Sequence, residues 1–185
     1  MPGTLQAGFV PIDAAGSVVG VTLSSSTETA APPAPLAATP AGCAIAVGPA
    51  TRQVYTAGWT LFGSVTYQDS AHAADHTVTQ TLGRYPDATQ AGAVFTALAN
   101  GLKACPAGVR TDPDQGTTKW TYTVDSATAN ALAWTATQDA GGGWACYRQA
   151  RLTGPNVIEV AVCEAGNGKP AAATIADRFA GKLAG

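Results

Sequence analysis

The four cysteines, Cys43, Cys105, Cys146 and Cys163, are the residues whose types and spacing most clearly predict chemistry. None of them belongs to a C-x-x-C pair, which argues against a zinc knuckle or a thioredoxin-type redox site. An even number of widely spaced cysteines favours two disulfides, and four cysteines allow three pairings. The alternative is four reduced thiols in a cytosolic protein.

Two predicted strands near the C-terminus select one pairing. Segments 144–152 and 156–163 have strand character, and Gly154-Pro155 lies between them as a turn. With a two-residue loop, Cys146 lies opposite Cys163 at a non-hydrogen-bonded position. The Cα separation there is about 4.5 Å, which a disulfide accepts. Cys43 and Cys105 remain as the second pair, and two disulfides predict a location outside the cytosol.

The only histidines, His72 and His76, have the i, i+4 spacing of two metal ligands on a helix, with Asp69 or Asp75 as a third ligand. Ala73 follows His72, so the glutamate of a zinc peptidase is absent. The stretch lies between two predicted strands, where a loop without metal is expected. We therefore predict neither a metal nor a cofactor.

Other catalytic motifs are missing. The sequence contains no G-x-S-x-G and no phosphate-binding glycine loop. A Ser-His-Asp triad can assemble from distant positions, so spacing does not exclude one. The sequence therefore favours a non-catalytic protein and keeps a hydrolase as an alternative.

Composition restricts the partners. Only 12% of the 185 residues are charged, about half the usual share, and the net charge is −2. Lys and Arg are scattered, so nucleic acid is not an expected partner. No apolar run reaches the ~20 residues of a membrane-spanning helix. Met1 is the only methionine. We expect that it starts a shortened chain, with any signal peptide or lipid anchor upstream.

Hydrophobic periodicity and turn residues predict the elements that position these side chains. Short connections imply antiparallel neighbours, so the expected fold class is α+β: a single antiparallel sheet of about six strands with helices packed on one face. Residues 24–42 are rich in Ser, Thr, Ala and Pro and suggest a linker. The predicted domains are therefore 1–39, a short helix plus this linker, and 40–185, the folded unit. Strands are predicted at 59–68, 76–84, 117–125, 132–138, 144–152 and 156–163, and helices at 14–19, 49–55, 87–105 and 170–183.

One face of the last hairpin is a candidate ligand surface. Arg148 and Glu159 share this face as diagonal neighbours and could pair. If Thr121, Thr123 and Thr135 line up with them, the sheet has a concave polar face suited to a ligand with hydroxyls or a charged head group. The alternative is a solvated sheet face, because Thr is a common strand residue.

The residues from Pro40 to Ala184 resemble the PknH-like extracellular domain family. The C-terminal part that carries the resemblance contains Cys146, Gly154, Asn156-Val157-Ile158, Val160, Cys163 and Ile175-Ala176. The middle part contains Gln80, Tyr85-Pro86, Ala91, Phe95, Cys105 and Trp120. The four-cysteine pattern and its pairing also fit. One departure is visible: related sequences often have a Trp shortly before the second cysteine, where this chain has Leu102-Lys103-Ala104.

The resemblance implies a two-lobed, cleft-bearing sensor domain outside the cytoplasmic membrane, as in a mycobacterial receptor kinase and in related lipoproteins and secreted proteins. It carries no established catalytic residues. The expected function is therefore non-catalytic binding of an unidentified small envelope molecule, and the expected partner is an unknown small molecule or a cell-wall or lipid component. A lipid or glycolipid carrier is the first alternative, and it would be distinguished by an apolar cavity in place of a polar groove. A hydrolase is the second alternative.

Overall fold

The computed structural model describes residues 8–184, so the expectation about Met1 lies outside the described residues. Nine strands and four α-helices make up this part of the chain, together with a 3-10 turn at Ala41–Cys43. The helices are α1 (Ile12–Val19), α2 (Ala44–Val47), α3 (Ala88–Ala104) and α4 (Lys169–Leu183). The strands are β1 (Ser25–Thr29), β2 (Ala37–Thr39), β3 (Leu61–Gln68), β4 (His76–Arg84), β5 (Ala107–Thr111), β6 (Thr117–Ala127), β7 (Ala131–Gln138), β8 (Ala145–Thr153) and β9 (Asn156–Glu164).

All nine strands form one antiparallel sheet in the order β1-β3-β4-β9-β8-β7-β6-β5-β2. The β8–β9 hairpin lies near its centre and turns at Gly154-Pro155. Its register pairs Cys146 with Cys163, as the two-residue loop predicts. The α+β class and the single antiparallel sheet are confirmed, whereas the count of about six strands is too low.

Three strands account for the difference, and two of them correct the domain boundary. β1 and β2 come from the predicted linker and form the two edges of the sheet. The preceding residues also pack in the core: the Gln80 amide accepts from Val10 N at 2.8 Å and donates to Val10 O at 2.9 Å. Residues 8–39 therefore belong to the folded unit. The helix predicted at 49–55 is also wrong, because turns occupy this segment.

Helices pack on both faces of the sheet, which corrects the prediction of one covered face. We call the face of Cys146, Arg148 and Glu159 the α3 face, because α2 and α3 pack on it. The opposite face, with Tyr147 and Val162, is the α4 face, because α1 and α4 pack there. β9 is consequently buried on both sides. On the α3 face, small residues let α3 approach the sheet closely: Ala150 is 0% exposed and Ala161 is 4% exposed.

The connection between the two edge strands shows that the sheet is strongly curved. Only residues 30–36 separate β1 from β2. At about 3.5 Å per residue, the chain from Thr29 to Ala37 spans at most about 28 Å. In a flat sheet, the two edges of nine strands would lie about 38 Å apart. The connection runs over the α3 face, where Pro33 O accepts a hydrogen bond from Arg52 N at 3.0 Å and Leu36 packs on the core. The sheet therefore bends towards its α3 face.

Two glycines of α3 should respond in opposite ways to the same substitution. A Cβ at Gly92 would lie 3.9 Å from its nearest neighbour, a methyl carbon of Leu152, so Gly92→Ala should raise the unfolding free energy by about 0.5–1 kcal/mol. A Cβ at Gly101 would lie 2.6 Å from Ile45 Cβ on α2. We therefore expect Gly101→Ala to lower the unfolding free energy by about 1–3 kcal/mol. Urea unfolding of both variants measures this, and equal effects would contradict the close α2–α3 contact.

Candidate functional site

Two disulfides hold the elements around the candidate site. Cys146–Cys163 joins the central hairpin, with a Cα separation of 4.0 Å. Cys43–Cys105 joins the segment before α2 to the end of α3, with a Cα separation of 5.2 Å. Both pairs are buried on the α3 face. These are the predicted pairings: the first joins two central strands of the sheet, and the second joins the start of α2 to the end of α3.

A small cavity lies on the α3 face beside Cys146. Its volume is about 40 Å³, enough for a few water molecules or one small polar group, and one side is open. We call it the Arg148 cavity. The side chains that line it come from α2 and four strands: Ala46, Val47, Arg110, Trp120, Tyr122, Ala136, Cys146 and Arg148.

Arg148 is the central charged group of this cavity. It lies on β8 between Trp134 on β7 and Ala161 on β9, and it is partly buried. No carboxylate of the described residues lies within 4.0 Å of its guanidinium nitrogens, in contrast to the ion-paired Arg110 and Arg151. Burial lowers the pKa of Arg148, and the nearby Glu159 opposes that shift. The guanidinium stays protonated, because arginine does not lose its proton in proteins.

Glu159 lies behind Arg148 as its diagonal neighbour, as predicted, but it is not on an open surface. It is 3% exposed, and neither carboxyl oxygen has a hydrogen-bond partner among residues 8–184. Burial raises the pKa of Glu159 to about 8, with Arg148 and Tyr55 acting in the opposite direction. The carboxyl group is therefore mainly protonated at neutral pH.

Tyr55 contributes a second buried polar group beside Glu159. Its ring packs directly on the main chain of Gly83, where a Cβ would lie 2.5 Å from a ring carbon. Its hydroxyl group has no hydrogen bond of good geometry, and burial raises its pKa well above the ordinary value. Tyr85 lies next to this ring, and burial raises its pKa to about 12. Unpaired buried polar groups of this kind commonly mark a site of ordered water or ligand.

Arg110 brings a second guanidinium group to the cavity from β5. It forms an ion pair with Asp112: Nε lies 3.0 Å from Oδ1, and Nη2 donates to Oδ2 at 3.3 Å. Its guanidinium carbon lies 5.8 Å from the Trp120 ring centroid, within cation–π range. Burial raises the pKa of Tyr122 to about 12, although both arginines oppose the shift. The cavity thus combines two cations with two aromatic walls.

The predicted threonines do not join Arg148 and Glu159. Thr123 pairs with Thr135, and Thr135 with Tyr147, so these residues lie on the α4 face. Thr121 lies on the same side. The prediction of one polar surface that contains all five candidates is therefore wrong. Thr135 instead donates to Asp125 Oδ2 at 2.7 Å, and Asp125 pairs with Lys169 of α4 at 2.8 Å.

The histidine region forms a loop that leads into β4. His76 Nδ1 lies 2.9 Å from Asp69 Oδ2, and its Nε2 lies 3.9 Å from Glu164 Oε2. The main chain of His72 contacts Ser70. Within residues 8–184, no group of three His, Cys, Asp or Glu residues is placed to hold a metal ion. No helix of this part of the chain is long and apolar enough to cross a membrane.

Sequence reasoning missed most of the cavity wall. Trp120 and Tyr122 alternate with Thr121 and Thr123 along β6, so the aromatic and threonine side chains lie on opposite faces of the sheet. This alternation indicated that the face with the aromatic residues is covered. Arg110 was missed because β5 was not predicted. Ala46 and Val47 carry no chemical signal and could not have been found.

These features define the class of protein. One curved antiparallel sheet with helices on both faces and two buried disulfides forms an α+β domain of the kind found outside the cytoplasm. A comparison with curated proteins finds no match.

Comparison with protein families identifies the family. The model of the PknH-like extracellular domain matches residues 1–182, and the chain belongs to this family. A similar solved structure is the extracellular domain of PknH from Mycobacterium tuberculosis, with 22% sequence identity and a TM-score of 0.85 over 97% of this chain and 94% of that chain. The location is therefore extracytoplasmic, and the family match extends into the segment that the sequence suggested was a linker.

Proposed function

We propose that this domain is a non-catalytic sensor module that binds a small envelope molecule at the Arg148 cavity. One observation carries the proposal: the partly buried guanidinium group of Arg148 faces the cavity, and no carboxylate of residues 8–184 lies within ion-pair distance of it. Placing a charge away from water without a partner is costly, so such a group is better explained by a ligand than by stability. A concave site with a few convergent polar groups is the usual form of a small-molecule site.

The alternatives have less support. A lipid carrier needs an apolar cavity, and the Arg148 cavity is small and lined by two arginines. A larger depression of about 460 Å³ lies outside it, with Pro32, Tyr55 and Trp59 in its wall, and this is where we would expect a lipid to bind. A hydrolase needs a nucleophile beside a base. His76 has a carboxylate partner in Asp69, but its Nε2 is directed to Glu164 and bonds no hydroxyl group of the described residues.

Native mass spectrometry of the chain purified from the envelope of its natural host tests the proposal. We expect a retained small molecule as added mass. Arg148→Met should abolish this mass, because the variant keeps the side-chain length but loses the charge. Arg178→Met is the matched control on the exposed surface of α4 and should retain it. The absence of added mass, or equal mass in the Arg148 variant, contradicts the proposal, and a retained lipid unaffected by Arg148→Met would favour the carrier.

A further inference from the structure

The charges around the Arg148 cavity do not balance, and this imbalance specifies the chemistry of an occupant. Arg110 and Arg148 both line the cavity. Two positive groups at one small cavity act on each other as like charges, and Arg110 contributes to lowering the pKa of Arg148. Two guanidinium groups at one small cavity repel each other unless an anion lies between them.

The carboxylates of residues 8–184 do not supply this anion. Asp112 already forms an ion pair with Arg110, in which its two oxygens contact Nε and Nη2. Glu159 lies beyond ion-pair distance of Arg148, and its burial keeps it mainly protonated at neutral pH. Tyr122 is also neutral, because its pKa is raised to about 12. At least one positive charge at the cavity is therefore uncompensated by the described residues.

Size and donor geometry restrict the anion further. A cavity of about 40 Å³ holds one small group, and its open side leaves the remainder of a larger molecule outside. The planar fork of arginine matches the two oxygens of a carboxylate or phosphate. The Trp120 indole N–H donates to Thr118 Oγ1 at 2.9 Å and is already used. The arginines are thus the principal donors, with the Tyr122 hydroxyl group beside them.

From this arrangement, we infer that the Arg148 cavity binds an oxyanion group, a carboxylate or a phosphate, between Arg110 and Arg148. The inference rests on the proposed function, because it names the chemical class of the ligand at the same site. The anionic group would be the part of the ligand that enters the cavity. The uncharged part would lie over the opening.

Titration of the oxidised protein with acetate and with inorganic phosphate at constant ionic strength tests the inference. The indole N–H resonance of Trp120 reports on the cavity, and we expect it to shift with saturation for at least one anion. Arg148→Met and Arg110→Met should each weaken binding about ten- to hundredfold, the usual effect of losing a charge-assisted contact. Arg148→Lys should give a smaller loss, because it keeps the charge without the fork. The relative affinities for acetate and phosphate show whether the anionic group of the ligand is a carboxylate or a phosphate.

Arg178→Met is the control and should bind like the parent. The absence of a saturable shift with both anions in the folded parent would overturn the inference, and so would equal binding by the Arg148 variants. If native mass spectrometry finds an Arg148-dependent ligand that carries no acidic group, the oxyanion inference fails and the proposed function stands. If acetate or phosphate binds through Arg148 but the chain from its host carries no ligand, the proposed function fails and the oxyanion chemistry stands.

Discussion

Replacing Cys43 and Cys105 by Ala is expected to lower the unfolding free energy by about 4 kcal/mol. The disulfide closes a loop with a sequence separation of 62, and loop-closure entropy predicts a loss of this size. The shorter Cys146–Cys163 loop, with a separation of 17, should cost about 3 kcal/mol when removed. Urea unfolding of the two double variants compares the effects directly. A larger loss from the hairpin disulfide would contradict this account.

The long-loop disulfide should also affect the Arg148 cavity. Cys43 immediately precedes α2, whose Ala46 and Val47 line the cavity. Without the bond, α2 loses its covalent connection to the end of α3. The Cys43/Cys105 variant should therefore bind acetate or phosphate more weakly than the parent under conditions in which both are folded.

The second large effect concerns the pH dependence of stability, which Glu159 should dominate. Its pKa rises from 4.5 to about 8 on folding. Between these values the folded state holds a proton that the unfolded state has released, so stability falls as the pH rises through this range. At about 1.4 kcal/mol per pH unit, the change amounts to several kcal/mol. The groups that act on the carboxyl are Arg148 on β8 and Tyr55, and only Arg148 carries a charge in this range.

Glu159→Gln isolates this effect, because the variant keeps the shape of the protonated acid and does not ionise. We expect the variant to match the parent below pH 4.5 and to be more stable above pH 8, when both are measured by urea unfolding. Contributions from groups that both proteins share cancel in the difference between them. Parallel pH profiles for the parent and Glu159→Gln would show that the buried carboxyl does not control stability.

The sequence was sufficient for the features whose side chains follow a strong period or a fixed turn. The two-residue turn at Gly154-Pro155 fixes which residues of the two strands face each other, and therefore the Cys146–Cys163 pairing. The apolar stripe of α3, which includes Phe95 and Leu98, is buried as its helical spacing predicts. In these elements, local pattern and tertiary packing require the same residues.

The features that were not predicted from the sequence follow no such pattern. β1 has four exposed residues out of five, because an edge strand needs main-chain hydrogen bonds but few apolar side chains. The second covered face was missed because Ala150, Ala161 and Glu159 suggested a solvated surface. Small side chains there permit close helix packing, and the sequence alone does not show which helix supplies the cover. Arg110 reaches Arg148 only through long-range strand order, which is why the cavity could not be predicted.

The seven residues that connect β1 to β2 limit how far the two sheet edges can separate. A rearrangement that flattened the sheet would need more chain than residues 30–36 contain. A ligand at the proposed site on the α3 face would therefore act through side-chain shifts or small strand displacements. Large-scale unbending of the domain is not available as a response while both edge strands stay paired.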